Sequence, residues 1–124
     1  MAFSYGDVVY ANLDPSAGHE QTKRRPLIVM SNDRFNGYCN LTFVCPVTHA
    51  DTGYRLHANV GPIRLGDGTC LEGFAAVEQT KSLDLEARDA VKVGHVPDTM
   101  MLQLSDLLLM CLMRDDQMLL PTTY

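Results

Sequence analysis

The densest positive charge in the sequence lies in the segment 23–25, which reads Lys-Arg-Arg and follows His19 closely. A guanidinium is planar and permanently charged, and its paired N–H donors match the oxygens of a phosphate. The net charge of −5 argues against a large nucleic-acid surface. Residues 1–65 nevertheless carry six Lys/Arg against five Asp/Glu, whereas residues 66–124 carry four against ten. The sequence therefore predicts a local site for a few phosphates and excludes a long duplex footprint.

The segments that must position this site are mostly short, β-branched or aromatic runs separated by glycine and proline turns. Strands are expected over residues 8–13, 26–30, 41–48, 54–60, 70–77, 81–84 and 90–96. The stretches 14–25 and 32–37 are expected to be loops, the second ending in an Asn-Gly turn signal. Residues 85–88 are expected to form one helical turn at most. Phe43 and Phe74 are expected to fill the interior.

The C-terminal part of the chain has a different pattern. Pro97-Asp98-Thr99 offers a helix start, and residues 100–113 are dense in Leu and Met. Apolar residues occur around most of this helix, more than one sheet face can cover. We therefore expect a homodimer in which the helix is partly buried against the partner. Strands first and one helix last predict a mainly β fold, a partly open antiparallel barrel capped by a C-terminal helix.

Length and composition fit one domain over residues 1–124. The N-terminus lacks the features of a signal peptide, and the longest apolar run has seven residues, so a cytoplasmic protein is expected. The four cysteines form no CxxC pair, which argues against a zinc site, and reduced thiols suit the cytosol. Cys45 and Cys111 are expected to be buried. No cofactor is expected.

Four blocks in order resemble the MazF/PemK family of toxins, the ribonuclease halves of bacterial toxin–antitoxin pairs. The first two are Gly6-Asp7-Val8-Val9-Tyr10 and the run from Asp14-Pro15 through Gly18-His19-Glu20-Gln21 to Arg25-Pro26. The others are Pro46-Val47-Thr48 at a strand end and Val77-Glu78-Gln79-Thr80-Lys81-Ser82. The blocks cover nearly the whole chain, and such an ordered set is hard to obtain by chance.

The resemblance implies an SH3-like barrel of the MazF/CcdB type, a homodimer, and sequence-specific cleavage of single-stranded RNA without a metal. Attack by the neighbouring 2′-hydroxyl would leave a 2′,3′-cyclic phosphate and a 5′-hydroxyl. Arg25 and Thr48 match the family's catalytic pair. An antitoxin protein is the implied partner, with an acidic tail for which the basic loop would be the electrostatic target.

The chemistry limits what each residue can do. Arg25 suits the charge of the phosphorane but is a poor general base, because the reference pKa of arginine is about 12.5 or higher. Thr48 offers a hydroxyl hydrogen bond to a phosphate oxygen. The base is left unassigned, and a two-histidine mechanism is disfavoured although His49 directly follows Thr48. The expected substrate-binding residues are His19, Glu20, Lys23, Arg24, Gln79 and Lys81, with Phe35, Tyr38 and Tyr54 available to stack bases.

Two alternatives stay open. A toxin of the same fold could poison DNA gyrase, although the related gyrase poisons typically use tryptophan near the C-terminus and this chain has none. A barrel that only binds a partner is the other alternative, against which the presence of both Arg25 and Thr48 argues weakly.

Overall fold

The computed structural model describes residues 2–13, 24–50 and 53–117. His19, Glu20 and Lys23, which were assigned to substrate binding, lie outside the described residues. The strands are β1 (Asp7–Asn12), β2 (Arg24–Val29), β3 (Thr42–Thr48), β4 (His57–Asn59), β5 (Ile63–Arg64), β6 (Cys70–Leu71), β7 (Phe74–Ala76), β8 (Lys81–Leu83) and β9 (Val91–His95). The helices are α1 (Asp33–Tyr38) and α2 (Asp98–Leu112), with 3₁₀ turns at Val77–Gln79 and Asp115–Gln117.

The main sheet is antiparallel and has the strand order β4-β7-β3-β2-β1-β9, with β8 pairing β3. The strands β5 and β6 form a separate hairpin, joined to β9 by a hydrogen bond of 2.8 Å from the Gly66 amide to the Val93 carbonyl. Within the described residues β4 and β9 do not pair, so closure of a barrel is not detected. The prediction of a mainly antiparallel β fold with a C-terminal helix is confirmed.

Both faces of the sheet are covered by apolar side chains. One core lies between the sheet and α2 and contains Val8, Ile28, Cys45, Val47, Ala58, Ala75, Met101 and Leu104. A second, smaller core on the other face contains Val9, Ala11, Leu27, Val29, Val44 and Leu85. Successive side chains of a strand point to opposite faces, so a continuous apolar run such as residues 27–29 supplies both cores.

The segment 32–37 was expected to be a loop, and this was wrong, because α1 begins there. The Asn32 side chain caps the helix by accepting a hydrogen bond from the Phe35 amide at 2.8 Å. Asn36 is buried and donates to the carbonyl of Phe3 at 2.8 Å. The Asn-Gly pair therefore lies inside a short helix, and the polar asparagine is retained in the interior by its hydrogen bonds.

Several strand boundaries differ from the expected ones, and two of these differences bear on the site. β2 begins two residues early, so Arg24 and Arg25 are strand residues paired with Asn12 and Ala11 rather than the end of a loop. The expected strand 70–77 is divided into β6 and β7, with a break at Glu72 and Gly73. Pairing with β1 extends β2 because the ladder's hydrogen bonds outweigh the weak strand preference of polar residues.

The helix α2 buries Met101 and Leu104 against the first core, and its outer side remains apolar. Leu102, Leu109 and Leu112 are 64%, 52% and 73% exposed. Cys45 is buried as expected, but Cys111 is exposed, so that prediction was wrong. In the part of the chain that the structure describes, no helix has the length and apolar character needed to cross a membrane.

Candidate active site

Four side chains lie in a line across the sheet, each on a different strand. Asn59 pairs Phe74, and Phe74 pairs Thr48. The β2–β3 ladder pairs Leu27 with Pro46, and continuing this register by two residues brings Arg25 level with Thr48. Directly paired residues point to the same face, and neighbouring strands lie about 4.8 Å apart. We call Arg25, Thr48, Phe74 and Asn59 the site row.

The site row points away from the core that α2 covers. Three residues adjacent in sequence to members of the site row are buried in that core: Val47, Ala75 and Ala58. Because successive side chains of a strand point to opposite faces, Thr48, Phe74 and Asn59 must point to the other face. Arg25 and Asn59 are exposed, and Thr48 and Phe74 are half-buried. The expectation that Phe74 fills the interior was therefore wrong, as it was for Phe43, which is 41% exposed.

The two adjacent arginines have different surroundings. Arg24 donates to the carbonyls of Tyr10 at 2.9 Å and Asp89 at 2.7 Å, which ties the start of β2 to β1 and to the loop before β9. Arg25 makes no hydrogen bond or ion pair with any residue in the described ranges. Among the described residues the donors of Arg25 thus have no partner, whereas Arg24 has already committed several of its own.

Thr48 is held by backbone contacts on both sides. Its Oγ1 accepts a hydrogen bond of 3.2 Å from the Ala50 amide, which leaves the hydroxyl proton to be donated elsewhere. Gly73, with a φ of 151°, passes so close that a Cβ placed on it would lie 2.6 Å from the Thr48 carbonyl oxygen. The Gly73 carbonyl in turn accepts from the Val60 amide at 3.0 Å. The end of β3 is fixed by this packing.

A cavity of about 400 Å³ adjoins the Thr48 end of the site row. It is lined by His49, Asn59, Gly61, Pro62, Glu72, Gly73 and Phe74. Asn59 and Phe74 thus belong both to the site row and to the cavity wall. Asn59 and Glu72 were not predicted from the sequence. Only the pairing of β4 with β7 and the close approach of Gly61 to Glu72, which no local pattern reveals, bring them here.

His57, which was not among the expected site residues, lies on the same side of the sheet, and the expected residues Gln79 and Lys81 follow β7 in the chain. His57 pairs Ala76 two residues from Asn59, so it shares the face of the site row, and its Nε2 lies 2.9 Å from Oε2 of Glu78. The Gln79 amide contacts the same Glu78 oxygen at 3.4 Å. Lys81 is exposed on β8 opposite Val44.

Behind the site row the sheet is apolar. Cys45 is buried on the opposite face of β3, and burial raises the pKa of its thiol to about 12. The thiol is therefore neutral near pH 7 and adds no charge beside Thr48. No group of three or more His, Cys, Asp or Glu side chains suited to a metal ion is found among residues 2–13, 24–50 and 53–117.

The fold is shared with structures of known class. A crystal structure of MazE–MazF from Deinococcus radiodurans superposes with a TM-score of 0.76 at 30% identity, over 90% of this chain and 96% of that one. A crystal structure of MazF from the same organism gives a TM-score of 0.72 at 31% identity, over 90% and 97%. The open antiparallel sheet with its C-terminal helix is thus a MazF-like fold.

Sequence comparison agrees with the fold. The model of the "PemK-like, MazF-like toxin of type II toxin-antitoxin system" matches residues 4–112. The endoribonuclease PemK of Escherichia coli is 32% identical over 96 residues, 77% of this chain and 71% of the relative. The endoribonuclease toxin ChpB of Escherichia coli strain K12 is 34% identical over 97 residues, 77% and 82% of the two. The chain belongs to the PemK/MazF family of endoribonuclease toxins of type II toxin–antitoxin systems.

The contact between Gly73 and Thr48 can be tested by adding one methyl group. We expect Gly73→Ala to lower the free energy of unfolding by about 1–3 kcal/mol, because the new Cβ meets backbone and the φ is unfavourable for alanine. Gly37→Ala is the matched control, since Gly37 lies in α1 with nothing within 4 Å of the added Cβ. It should be neutral or slightly stabilising. Equal urea midpoints for the two variants would contradict the close packing at Thr48.

Proposed function

We propose that this toxin is a sequence-specific endoribonuclease that cuts single-stranded RNA, mRNA included, without a metal ion. The observation that carries the proposal is the register of β2 with β3, which pairs Leu27 with Pro46 and, continued by two residues, brings the exposed Arg25 level with the half-buried Thr48. The Arg25 guanidinium makes no hydrogen bond or ion pair with the described residues, and the Thr48 hydroxyl has a proton to donate. Both groups stand at strand ends, where a rigid backbone holds them still. The endoribonuclease names of the relatives support the same activity.

In the proposed reaction the 2′-hydroxyl oxygen attacks the adjacent phosphorus and the bond from phosphorus to O5′ breaks. The 2′-hydroxyl loses a proton, O5′ gains one, and the products are a 2′,3′-cyclic phosphate and a 5′-hydroxyl. Arg25 stabilises the charge on the equatorial oxygens of the phosphorane, and Thr48 donates a hydrogen bond to one of them. Arg25 does not accept the proton, because an arginine pKa of about 12.5 or more keeps it charged.

The remaining substrate contacts belong to the same proposal. His19, Glu20 and Lys23, which precede β2 in the sequence, contact the RNA, and Gln79 and Lys81 contact it from the segment after β7. Arg24 is a weaker candidate, since its guanidinium already binds two backbone carbonyls. These residues position the RNA, and the cleavage chemistry depends on Arg25 and Thr48.

The catalytic pair is tested with purified protein, a mixed-sequence RNA and EDTA. Arg25→Ala and Thr48→Val should each lower the cleavage rate by roughly 10²–10³-fold, the usual effect of losing one donor that meets transition-state charge. Arg25→Lys should retain part of the activity, since it keeps the charge but loses the paired donors. Thr48→Ser, which keeps the hydroxyl, should stay near the wild-type rate.

Arg34→Ala provides the control for removal of an exposed arginine, because Arg34 lies on α1, away from the site row. Its rate should equal that of the wild type. Intact RNA with the wild-type protein, or full activity of Arg25→Ala, would overturn the proposal. Loss of cleavage in EDTA, restored by a divalent cation, would overturn its metal-independent part.

We further propose that the chain forms a homodimer through the outer side of α2. Leu109→Glu should give a monomer in sedimentation, because it places a charge on an apolar face that the partner covers. Gln103→Glu adds the same charge on an exposed polar position of this helix and should leave the dimer intact. A monomeric wild-type protein at micromolar concentration, or a dimeric Leu109→Glu variant, would contradict this.

The proposed protein partner is an antitoxin with a disordered acidic tail that crosses the face carrying Arg25. A tail peptide should inhibit cleavage, more strongly at low salt because the attraction is screened by ions. A peptide of equal length with every Asp and Glu replaced by Asn and Gln is the control and should inhibit much less. Equal inhibition by the two peptides would show that charge at this face does not direct the docking.

A further inference from the structure

We propose that the cavity beside Thr48 binds one unstacked nucleobase of the RNA and selects bases that carry an exocyclic amino group. The proposal rests on the proposed ribonuclease function and adds to it the place and the chemistry of base selection. The cavity is the 400 Å³ space lined by residues of β4, β7 and their loops. We call it the base cavity.

The base cavity lies at the correct end of the site row to receive a base. Arg25 and Thr48 hold the phosphate, and Phe74 and Asn59 lie on the next two strands in the same line. Two strand spacings place Asn59 about 10 Å from Thr48. A nucleotide whose phosphate lies at Thr48 can therefore extend its base over β7 toward β4 without leaving the sheet face.

The size of the base cavity suits a single base. Its volume of about 400 Å³ lies near the lower end of the range for small-ligand sites, roughly 300–1,000 Å³. The half-buried ring of Phe74 forms one wall, and His49 and Pro62 contribute further flat surfaces. Aromatic rings in single-strand binding sites hold bases by stacking, which accepts any base equally. Stacking alone therefore gives affinity for a base without choosing one.

Selection of one base over another requires polar groups that bind the edge of the base. The base cavity has two such groups, on Asn59 and Glu72. The Asn59 side-chain oxygen accepts a hydrogen bond of 3.0 Å from the Gly61 amide. This fixes the amide group and leaves its NH₂ as a donor. The Glu72 carboxylate is exposed and makes no hydrogen bond with any residue that the structure describes. The base cavity thus offers one donor and one anionic acceptor.

This pair of groups distinguishes the bases by their edges. Adenine, cytosine and guanine each present an amino group that can donate to Glu72 and an acceptor that can receive from Asn59. Uracil can also combine its ring N–H with a carbonyl oxygen, but that N–H lies between two carbonyl oxygens, and a carboxylate that accepts from it is repelled by both. Glu72 therefore favours an amino-bearing base and disfavours uracil at this position.

The walls are packed closely enough to keep this geometry. A Cβ on Gly61 would lie 2.6 Å from the Glu72 Cα and 2.8 Å from the Leu71 carbonyl oxygen. Gly73 makes a comparable approach to Thr48. The loop that carries Asn59 and the loop that carries Glu72 are consequently held against each other and against the end of β3, as a selective site requires.

A carboxylate near a phosphate chain also repels it, and this gives the proposal its distinctive test. Removing the charge of Glu72 should leave overall RNA binding unchanged or slightly tighter while base selection is lost. A residue with only a structural role would instead lower cleavage of every RNA alike. Selection and affinity are therefore separated by one substitution, Glu72→Gln, which keeps the shape of the side chain.

The experiment uses a short RNA with one mapped cut site. First, each base flanking the cut is replaced in turn by an abasic nucleotide, and one position should lower kcat/KM strongly. At that position the wild-type protein should prefer A, C or G over U by roughly 5- to 100-fold, the effect of one good base contact. Glu72→Gln should reduce this preference to near unity with KM unchanged or lower. Glu86→Gln, the same change in the β8–β9 connection, should keep the wild-type preference.

The outcomes separate this proposal from the one on which it rests. A wild-type protein that cuts no RNA overturns the ribonuclease function itself. Wild-type cleavage with an unchanged base preference in Glu72→Gln overturns only the base cavity. The base cavity is also overturned if Glu72→Gln keeps the wild-type base preference but is inhibited more weakly by the antitoxin tail. The cavity would then receive a side chain of the antitoxin instead of a base.

Discussion

The registers of the β4-β7-β3-β2 ladders are the constraint on which the site depends. A slip of one residue in any ladder would turn Thr48 or Phe74 toward the core and bring Val47 or Ala75 to the surface. Apolar cover on both faces makes such a slip costly, because every strand would exchange buried for exposed side chains. Gly73 then fixes the end of β3 at backbone-to-backbone distance. The two cores thus hold the site row in place without themselves contributing a side chain to it.

Much of the fold could be predicted from local pattern. Strands rich in valine and leucine, and a C-terminal helix dense in leucine and methionine, have strong local signals. The start of β2 and the helix α1 did not follow from such signals. Arg24 and Arg25 are extended because β1 supplies hydrogen-bond partners. Asn36, half of a turn-like Asn-Gly pair, is kept in the interior by its hydrogen bond to the distant Phe3. In both cases a tertiary contact outweighs the local preference.

The candidate site likewise contains residues that could be predicted from the sequence and residues that could not. Arg25 and Thr48 were assigned by resemblance, and neither residue is distinctive alone. Phe74 was expected inside because an aromatic residue in an apolar run usually is. Its actual face follows from the strand break at Gly73, which lets β7 start with Phe74 opposite Thr48. Asn59 and Glu72 could not be found from sequence, because pairing between residues separated along the chain brings them together.

The charge distribution favours a site in which a few cations supply the affinity for RNA and other groups supply the base selection. With a net charge of −5, the chain cannot rely on many phosphate contacts, and non-specific binding grows with their number. A few cations near Arg25 then give modest affinity, so contacts with a single base change the outcome more than they would on a strongly basic surface. On the proposed mode of base selection, an acidic residue such as Glu72 is tolerable, because the affinity that it costs is small beside the discrimination that it adds.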